Sequence, residues 1–537
     1  ANEVAHQEKT AQLSNTLQQL FPSNSAISAL EDTQNNLQKE QSPNWQMLAA
    51  ASACLNRFSV ITGGPGTGKT TTVTRLLAAL ISQQPDLRIA LAAPTGKAAA
   101  RLVESILAAK TQLAKSFPLA EKIPVSSFTL HRLLGWRPDG FSYNHKKTLP
   151  YDLVIVDEAS MVDLPMMAQL MESLGDNTRL ILLGDKDQLA SVEAGSVLGD
   201  LCDSGVMVNG YHAHGLQAQR AKQLAALCGL SSEALEPYIE TDAPIMTNSL
   251  TQLRKSYRFT RDSGIGQLAA AVNAGRYDQL VASFEQYSDI QYYANLIRST
   301  YSKSASYATV AHQKVDQVLP ETLAAEQAWQ QQVITGYGHY LKAIDEGADP
   351  EKVLELFNRF QLLCALRQGS SGLHALNERI QILLQSQGLL KMDLDMGSTG
   401  QQRWYSGRPV MITRNDYELN LFNGDIGIAM MVANKELRVC FMADGKVRQI
   451  LPTRLPDHET AFAMTVHKSQ GSEFTDVALV LPENFSPVIS RELIYTAITR
   501  AKSSFSLYSN AEVLEKGVSA RIERASGLRD LLFKTDL

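Results

Sequence analysis

The residues Gly63-Gly-Pro-Gly-Thr-Gly-Lys-Thr70, with Thr71 behind them, have the spacing of a phosphate cradle. The glycines at Gly63, Gly64, Gly66 and Gly68, with Pro65 and Thr67 between them, let backbone N–H groups curl around a chain of phosphates. A helix beginning there points its N-terminus at the same negative charge. Lys69 can reach the β- and γ-phosphates, and the Thr70 hydroxyl can ligate Mg2+. Further on, Leu153-Val-Ile-Val-Asp-Glu158 closes an apolar run with two acidic residues. Asp157 would hold Mg2+ through water, and Glu158 would orient and deprotonate an attacking water. A kinase-type cradle needs no second carboxylate, so the pair favours hydrolysis of a nucleoside triphosphate. Gly184-Asp-Lys-Asp-Gln188 closes the next run and leaves Gln188 as either a γ-phosphate sensor or part of a surface turn.

Strands and helices must hold these groups. Apolar runs of strand length occur at Phe58–Thr62, Ile89–Ala93, Leu153–Val156 and Leu180–Leu183. Between them, Val73, Leu76, Leu77 and Leu80 follow the i, i+3, i+4, i+7 spacing of one buried helix face. Alternating buried strands and helices predict a parallel α/β sheet over residues 46–250. Residues 1–45, with Leu13, Leu17 and Leu20 at helical intervals, predict a short helical segment and then a linker ending near Pro43. A second block begins near Leu253, reads as mostly helical to about residue 390, and gives way to an exposed connection at 391–403. Four strand-like runs broken by Asn and Gly turns lie between Arg408 and Leu451, as in a small β-barrel or meander. The α/β pattern returns at Ala463–Val466, Val477–Leu481 and Phe505–Tyr508, so a β module interrupts a second α/β domain.

Composition narrows the class. The chain has 537 residues, 44% hydrophobic and 20% charged, a globular composition too long for one domain. Five scattered cysteines without a CxxC pair suit a reducing compartment and argue against disulfides and structural zinc. His212 and His214 form an isolated pair without a third ligand, so no metal other than Mg2+ is expected. No apolar run approaches membrane-span length, and the first residues lack a basic-then-apolar leader, so a cytoplasmic protein without membrane contact is expected. The net charge of −5 neither suggests nor excludes nucleic acid, which needs only a local basic groove.

Taken in order, the motifs resemble those of superfamily 1 helicases of the 5′→3′ branch, and more closely the RecD-type subunits of RecBCD complexes (exodeoxyribonuclease V). Gln46 stands upstream of the cradle. Ala93–Ala99 is similar to motif Ia, Thr129–Leu134 to motif Ib, Asp157–Ser160 to motif II and Gly184–Leu189 to motif III. Ser256–Phe259 is similar to motif IV, Thr465–Glu473 to motif V and Tyr495–Arg500 to motif VI. The resemblance implies an α/β fold of two RecA-like P-loop motor domains, with a small SH3-like β module inserted in the second and a short helical N-terminal segment. The implied bounds are 1–45 for a remnant of a partner-docking domain and 46–250 for motor domain 1. Motor domain 2 takes 251–400 and 458–537, and the SH3-like insertion takes 401–457.

By the same resemblance, Gln46 reads adenine, Glu473 binds ribose, and domain 2 supplies Arg258 and Arg500 as arginine fingers. Nucleic-acid contacts are implied for Thr95, Lys97, Thr129, His131, Thr465, His467 and Lys468, side chains suited to gripping backbone rather than reading sequence. Trp136-Arg-Pro-Asp-Gly-Phe-Ser-Tyr143 reads as a β-hairpin, either the strand-separating pin of this branch or an ordinary surface turn. The implied activity is that of an ATP-dependent DNA helicase subunit moving 5′→3′ from a single-stranded tail at a duplex end. It would act with RecB-like and RecC-like partners in recombinational repair, with ATP and Mg2+ as cofactors. No nuclease-type carboxylate cluster accompanies the motor motifs. An RNA-directed motor of the same superfamily and a P-loop ATPase switch or scaffold remain the alternatives.

Overall fold

The computed structural model describes residues 2–22, 43–191, 196–203, 207–208, 211–212, 215–240, 243–260, 262–293, 320–391, 404–416, 418–432, 436–443, 445–522 and 527–533. The expected linker, the connection at 392–403 and His214 lie outside these. The chain divides into two units, Ala1–Arg258 with Arg524–Leu537, and Phe259–Glu523.

The first unit holds β1 (Phe58–Gly63), β2 (Ile89–Ala93), β3 (Phe128–Thr129), β4 (Trp136–Arg137), β5 (Gly140–Phe141), β6 (Leu153–Val156), β7 (Arg179–Gly184), β8 (Met207–Val208), β9 (Tyr211–His212) and β10 (Leu250–Leu253). Six of them form one parallel sheet in the order β10-β1-β7-β6-β2-β3. Successive residues of a strand point to opposite faces, and here each face has its own core. Ile61, Leu91, Ile155, Ile181 and Leu183 pack with the helices Trp45–Leu55 and Lys69–Gln83 on one side. Val60, Ala92, Val154, Val156 and Leu182 join Leu130, Leu170 and Leu198 on the other. Both faces being covered explains why these strands read as unbroken apolar runs rather than as alternating ones.

Two boundaries move from their sequence-based positions. The N-terminal helix Asn2–Leu20 is an integral part of the first unit: Leu13, Leu17, Leu20 and Phe21 enter its core, and Ser14 Oγ donates to the Leu227 carbonyl at 2.9 Å. At the other end, β10 pairs in parallel with β1 (Ile61 opposite Thr251) and keeps the chain in the first unit as far as Arg258. The expected break at 250/251 is therefore corrected to 258/259. β10 lies at the sheet edge with Thr251 and Gln252 only half-buried, so its Leu-Thr-Gln-Leu sequence carried a weaker apolar signal than the interior strands.

The second unit holds β11 (Ile290–Tyr293), β12 (Phe360–Cys364), β13 (Pro409–Ile412), β14 (Ile426–Val432), β15 (Glu436–Ala443), β16 (Lys446–Ile450), β17 (His458–Thr460), β18 (Ala463–Thr465), β19 (Phe474–Val480) and β20 (Ala501–Tyr508). A parallel sheet runs β11-β20-β19-β12-β18. An antiparallel sheet runs β16-β15-β14-β13-β17, one strand more than the sequence suggested. The stretch expected to be mostly helical contains β11 and the fully buried β12. Five buried residues between two helices carry no alternation, and periodicity cannot separate such a run from helix.

Candidate nucleotide and nucleic-acid sites

In an open parallel sheet, ligands sit beyond the carboxyl ends of the strands. β1 runs into the cradle, β6 into Asp157-Glu158, and β7 into Asp185–Gln188. Their order, β1-β7-β6, makes the three tips neighbours. Gly66 and Gly68 hold φ of 74° and 79°, a left-handed backbone that glycine enters without penalty. A Cβ on Gly66 would lie 2.3 Å from Arg258 Cβ and 3.0 Å from Arg258 N, so that position requires glycine for space as well, whereas one on Gly68 would displace the Gln46 amide, 2.3 Å away at Nε2. Lys69 Nζ donates to the carbonyls of Gly63 at 2.6 Å and Gly64 at 3.3 Å. Its ammonium thus already lies inside the cradle.

Two buried carboxylates face that lysine. Burial, and then the neighbouring Glu158 charge, push the Asp157 carboxyl up to about 6, against the pull of Lys69 and Arg101. Burial, and then Asp187, raise Asp185 to about 6 as well, opposed by Lys69 and by a hydrogen bond from Gln188 Nε2 at 2.8 Å. A dry pocket with one lysine and two reluctant carboxylates stabilises an added cation, so the donor set fits Mg2+ beside Thr70. Asp185 and Arg101 went unnoticed in the sequence; the signal for Asp185 was its place two residues beyond a buried strand's last apolar position. Glu158 adopts φ 52°, ψ 39°, a left-handed backbone that is rare for a residue bearing a Cβ, and its N–H donates to Asp157 Oδ1 at 2.9 Å.

Gln46 is buried, and its Nε2 donates to the Thr67 carbonyl at 3.0 Å. The Asn44 side chain caps the helix that carries it, accepting from Gln46 N and Met47 N. On the other flank, the segment after β10 lies across the cradle: Tyr257 N donates to Gly66 O at 2.7 Å and Ser256 Oγ to Pro65 O at 3.3 Å. Arg258 therefore belongs to the first unit, and the expectation that the second motor domain supplies it is corrected. Tyr257, missed in the sequence, is 54% exposed beside Gly66, an aromatic face held at the rim of the cradle.

The remaining first-unit residues follow β2 and β3, at the same end of the sheet but roughly 14 Å and 19 Å across it from β1 by strand spacing. Thr95 Oγ1 accepts from Ala98 N at 3.2 Å and Thr129 Oγ1 from Arg132 N at 3.3 Å, so both cap helices. Lys97 lies half-buried in the first turn after Thr95. His131 is exposed, its ring 6.4 Å from Trp136 and 6.2 Å from Phe141. The hairpin forms as expected, with Trp136 opposite Phe141 and Arg137 opposite Gly140 around Pro138-Asp139. Phe141 and Tyr143 pack on the unit's core, whereas Trp136 is 56% exposed.

In the second unit the two groups of residues part company. Arg500 is 4% exposed, its Nε donating to Thr496 O at 3.2 Å and its Nη1 to Ser472 O at 3.1 Å. Glu473 is paired with Lys502 at 3.6 Å. The two sit side by side at the amino end of the sheet, where Phe474 N donates to Arg500 O at 2.9 Å. Thr465 ends β18 at the carboxyl end, level with Cys364 and Val480, and His467 and Lys468 follow it. Since Phe474 and Val480 are six residues apart along β19, motif V spans about 20 Å from one end of the sheet to the other.

Residues 46–194 match the family described as AAA domain, residues 376–441 the ATP-dependent RecD-like DNA helicase SH3 domain, and residues 460–508 the UvrD-like helicase C-terminal domain. The SH3 match begins in the helix Leu373–Ser386 and ends inside β15, whereas the hydrogen-bonded module runs from Pro409 to Thr460. Two parallel sheets, one ending in a phosphate cradle, with an SH3-like insertion, define a P-loop helicase motor. The chain is 38% identical to the RecBCD enzyme subunit RecD of Haemophilus influenzae, over 92% of this chain and 73% of that one. It is 36% identical to the subunit of the same name from Mycobacterium tuberculosis, over 91% and 73%. The chain belongs to the RecD subunit family. Among solved structures it is similar to a Pif1 helicase from Bacteroides in complex with ADP-AlF3 and ssDNA, at 16% identity and a TM-score of 0.42 over 94% of this chain and 98% of that one.

Proposed function

We propose that this chain is an ATP-dependent DNA helicase subunit that moves 5′→3′ on single-stranded DNA. In this reading it works within a RecBCD-type enzyme with RecB-like and RecC-like subunits, in recombinational repair of double-strand breaks. The observation that carries the reading is the cradle at the tip of β1, with Lys69 among two buried carboxylates, in a chain of the RecD family. Lys69 holds the β- and γ-phosphates, and Glu158 orients and takes a proton from the attacking water. Gln188, fixed by Asp185, senses the γ-phosphate. Thr70 and Asp157 hold Mg2+, which when bound neutralises phosphate charge. Gln46 and Tyr257 flank the base, Glu473 the ribose, and Arg500 stabilises the charge that develops on the transferred phosphoryl group. Arg258 does the same from the cradle's own unit.

Thr95, Lys97, Thr129 and His131 in one unit, and Thr465, His467 and Lys468 in the other, grip the strand. Trp136 at the exposed hairpin meets the fork. All five cysteines are free thiols, in keeping with a cytoplasmic protein. No helix among the described residues is long and apolar enough to cross a membrane, and no cluster of three or more metal-ligating side chains occurs among them. Nuclease activity falls to a partner. The test is ATP turnover with and without nucleic acid: single-stranded DNA should stimulate it strongly and RNA of the same sequence weakly. Equal stimulation by RNA would return the RNA-directed reading.

A further inference from the structure

Two cations leave adjacent strand tips in the second unit. β12 and β18 pair in parallel and end level with one another, Cys364 opposite Thr465. Three residues beyond each end stand Arg367 and Lys468. The loop that carries Arg367 is closed at its base by Leu373 N donating to Leu366 O at 2.9 Å, so the arginine's backbone is fixed. Arg367 Nη2 reaches Glu459 Oε2 at 2.6 Å, and Lys468 Nζ donates to Asn423 Oδ1 at 2.8 Å. Both acceptors belong to the SH3-like module: Glu459 lies on β17, and Asn423 in the β13–β14 connection, where its N–H donates to Asn415 Oδ1 at 2.8 Å. Glu459 and Arg367 also act on the partly buried Lys468 at close range, with opposite signs, so the three charges form one cluster.

The charge count is the informative part. Two cations share one carboxylate, the arginine takes it, and the lysine is left with a neutral amide. A carboxylate would attract the Lys468 ammonium more strongly than the amide does, so the cation keeps attraction to spare for an anion. A surplus positive charge at the carboxyl ends of parallel strands suits an incoming oxyanion, and although Glu459 takes the Nη1–Nη2 edge of Arg367 at 3.5 and 2.6 Å, a guanidinium has a further N–H edge that can donate to a phosphate oxygen.

We propose that Arg367 and Lys468 together seat one backbone phosphate of single-stranded DNA, and that Glu459 and Asn423 of the SH3-like module are the positioning residues that hold the two cations for it. The inserted module is then part of the strand grip in the second unit, because it supplies the groups that aim the grip. The inference rests on the reading of motif V as a nucleic-acid edge, which places Lys468 there.

Affinity for a short oligothymidine, measured against salt on the full chain, tests both levels separately. Each phosphate contact to single-stranded nucleic acid contributes about 0.7 to the slope of log affinity on log salt. Arg367→Gln should therefore flatten the slope by about 0.7 and weaken binding roughly fivefold at about 0.1 M salt. Lys468→Gln should flatten it similarly. Asn423→Ala, which leaves every charge in place, should weaken binding in the parent and add nothing in the Lys468→Gln background. A slope lost in Lys468→Gln but kept in Arg367→Gln, with both variants unfolding at the parent's temperature, overturns the two-cation seat and leaves the motif V reading standing. Unchanged slopes in both remove that reading as well. An Asn423→Ala effect that persists undiminished beside Lys468→Gln would make Asn423 structural and overturn its positioning role.

Discussion

Replacing Asp157 with Asn should make the nucleotide-free protein more stable while removing its ATP turnover. The magnitude follows from the carboxyl's position, raised from 3.8 to about 6 by burial and the adjacent Glu158 charge. A shift of about two units corresponds to about 3 kcal/mol spent on ionising the group in the folded state. Asn keeps the shape and an oxygen for the Glu158 N–H without the charge, so up to about that amount is recovered at pH 7.5. The sign has a definite pH window. A carboxyl raised in the folded state costs stability above its folded value, and the cost fades as pH falls through about 6 towards the unfolded value near 4. The advantage of Asn should accordingly be full at pH 7.5, partial near 6 and absent near 4. At about 2–4 °C per kcal/mol for a unit of this size, the gain is several degrees in a thermal scan of nucleotide-free protein. A variant less stable than the parent at pH 7.5, or a difference that does not change with pH, would refute the picture of a buried, only partly compensated carboxylate awaiting a cation.

Glu158→Gln should bind ATP normally and turn it over slowly, which equilibrium binding of a labelled nucleotide beside single-turnover hydrolysis would show; loss of binding would make Glu158 a structural residue. Arg500→Lys keeps the charge but loses the planar fork, so kcat should fall by about a hundredfold or more with the KM for ATP nearly unchanged. An unaltered kcat in the folded variant would exclude a transition-state role. Trp136→Ala should leave DNA-stimulated ATP turnover and single-strand translocation intact and reduce duplex unwinding, measured with no other active helicase on the substrate; undiminished unwinding would demote the hairpin to a surface turn.

The first unit was legible because its interior strands are buried on both faces and end in chemically loud residues. The cradle, the Asp157-Glu158 pair and the hairpin turn at Pro138-Asp139 each combine a backbone requirement with a side-chain requirement within a few residues. What could not be read was long-range. Asp185 becomes a carboxylate of interest only when the sheet order sets β7 between β1 and β6 and turns it towards Lys69. Arg258 was assigned to the wrong unit because the edge strand β10 places polar Thr251 and Gln252 between its two buried leucines and does not announce itself. β12 was hidden by being too uniformly buried, and with it went Arg367. The parting of Glu473 and Arg500 from Thr465 and Lys468 to opposite ends of one sheet depends on strand register, which no local pattern encodes.

The central claim is a motor that tracks single-stranded DNA in one direction at the expense of ATP. Its most direct test is translocation of the chain, alone and assembled with RecB-like and RecC-like subunits, along single-stranded DNA carrying a fluorophore at one end or the other. In the assembly, a variant disabled in the RecB-like motor isolates the movement due to this chain. The account predicts ATP-dependent arrival at the 3′ end only, abolished by Lys69→Gln. Arrival at the 5′ end, or DNA-stimulated ATP turnover without any movement in either setting, would contradict it.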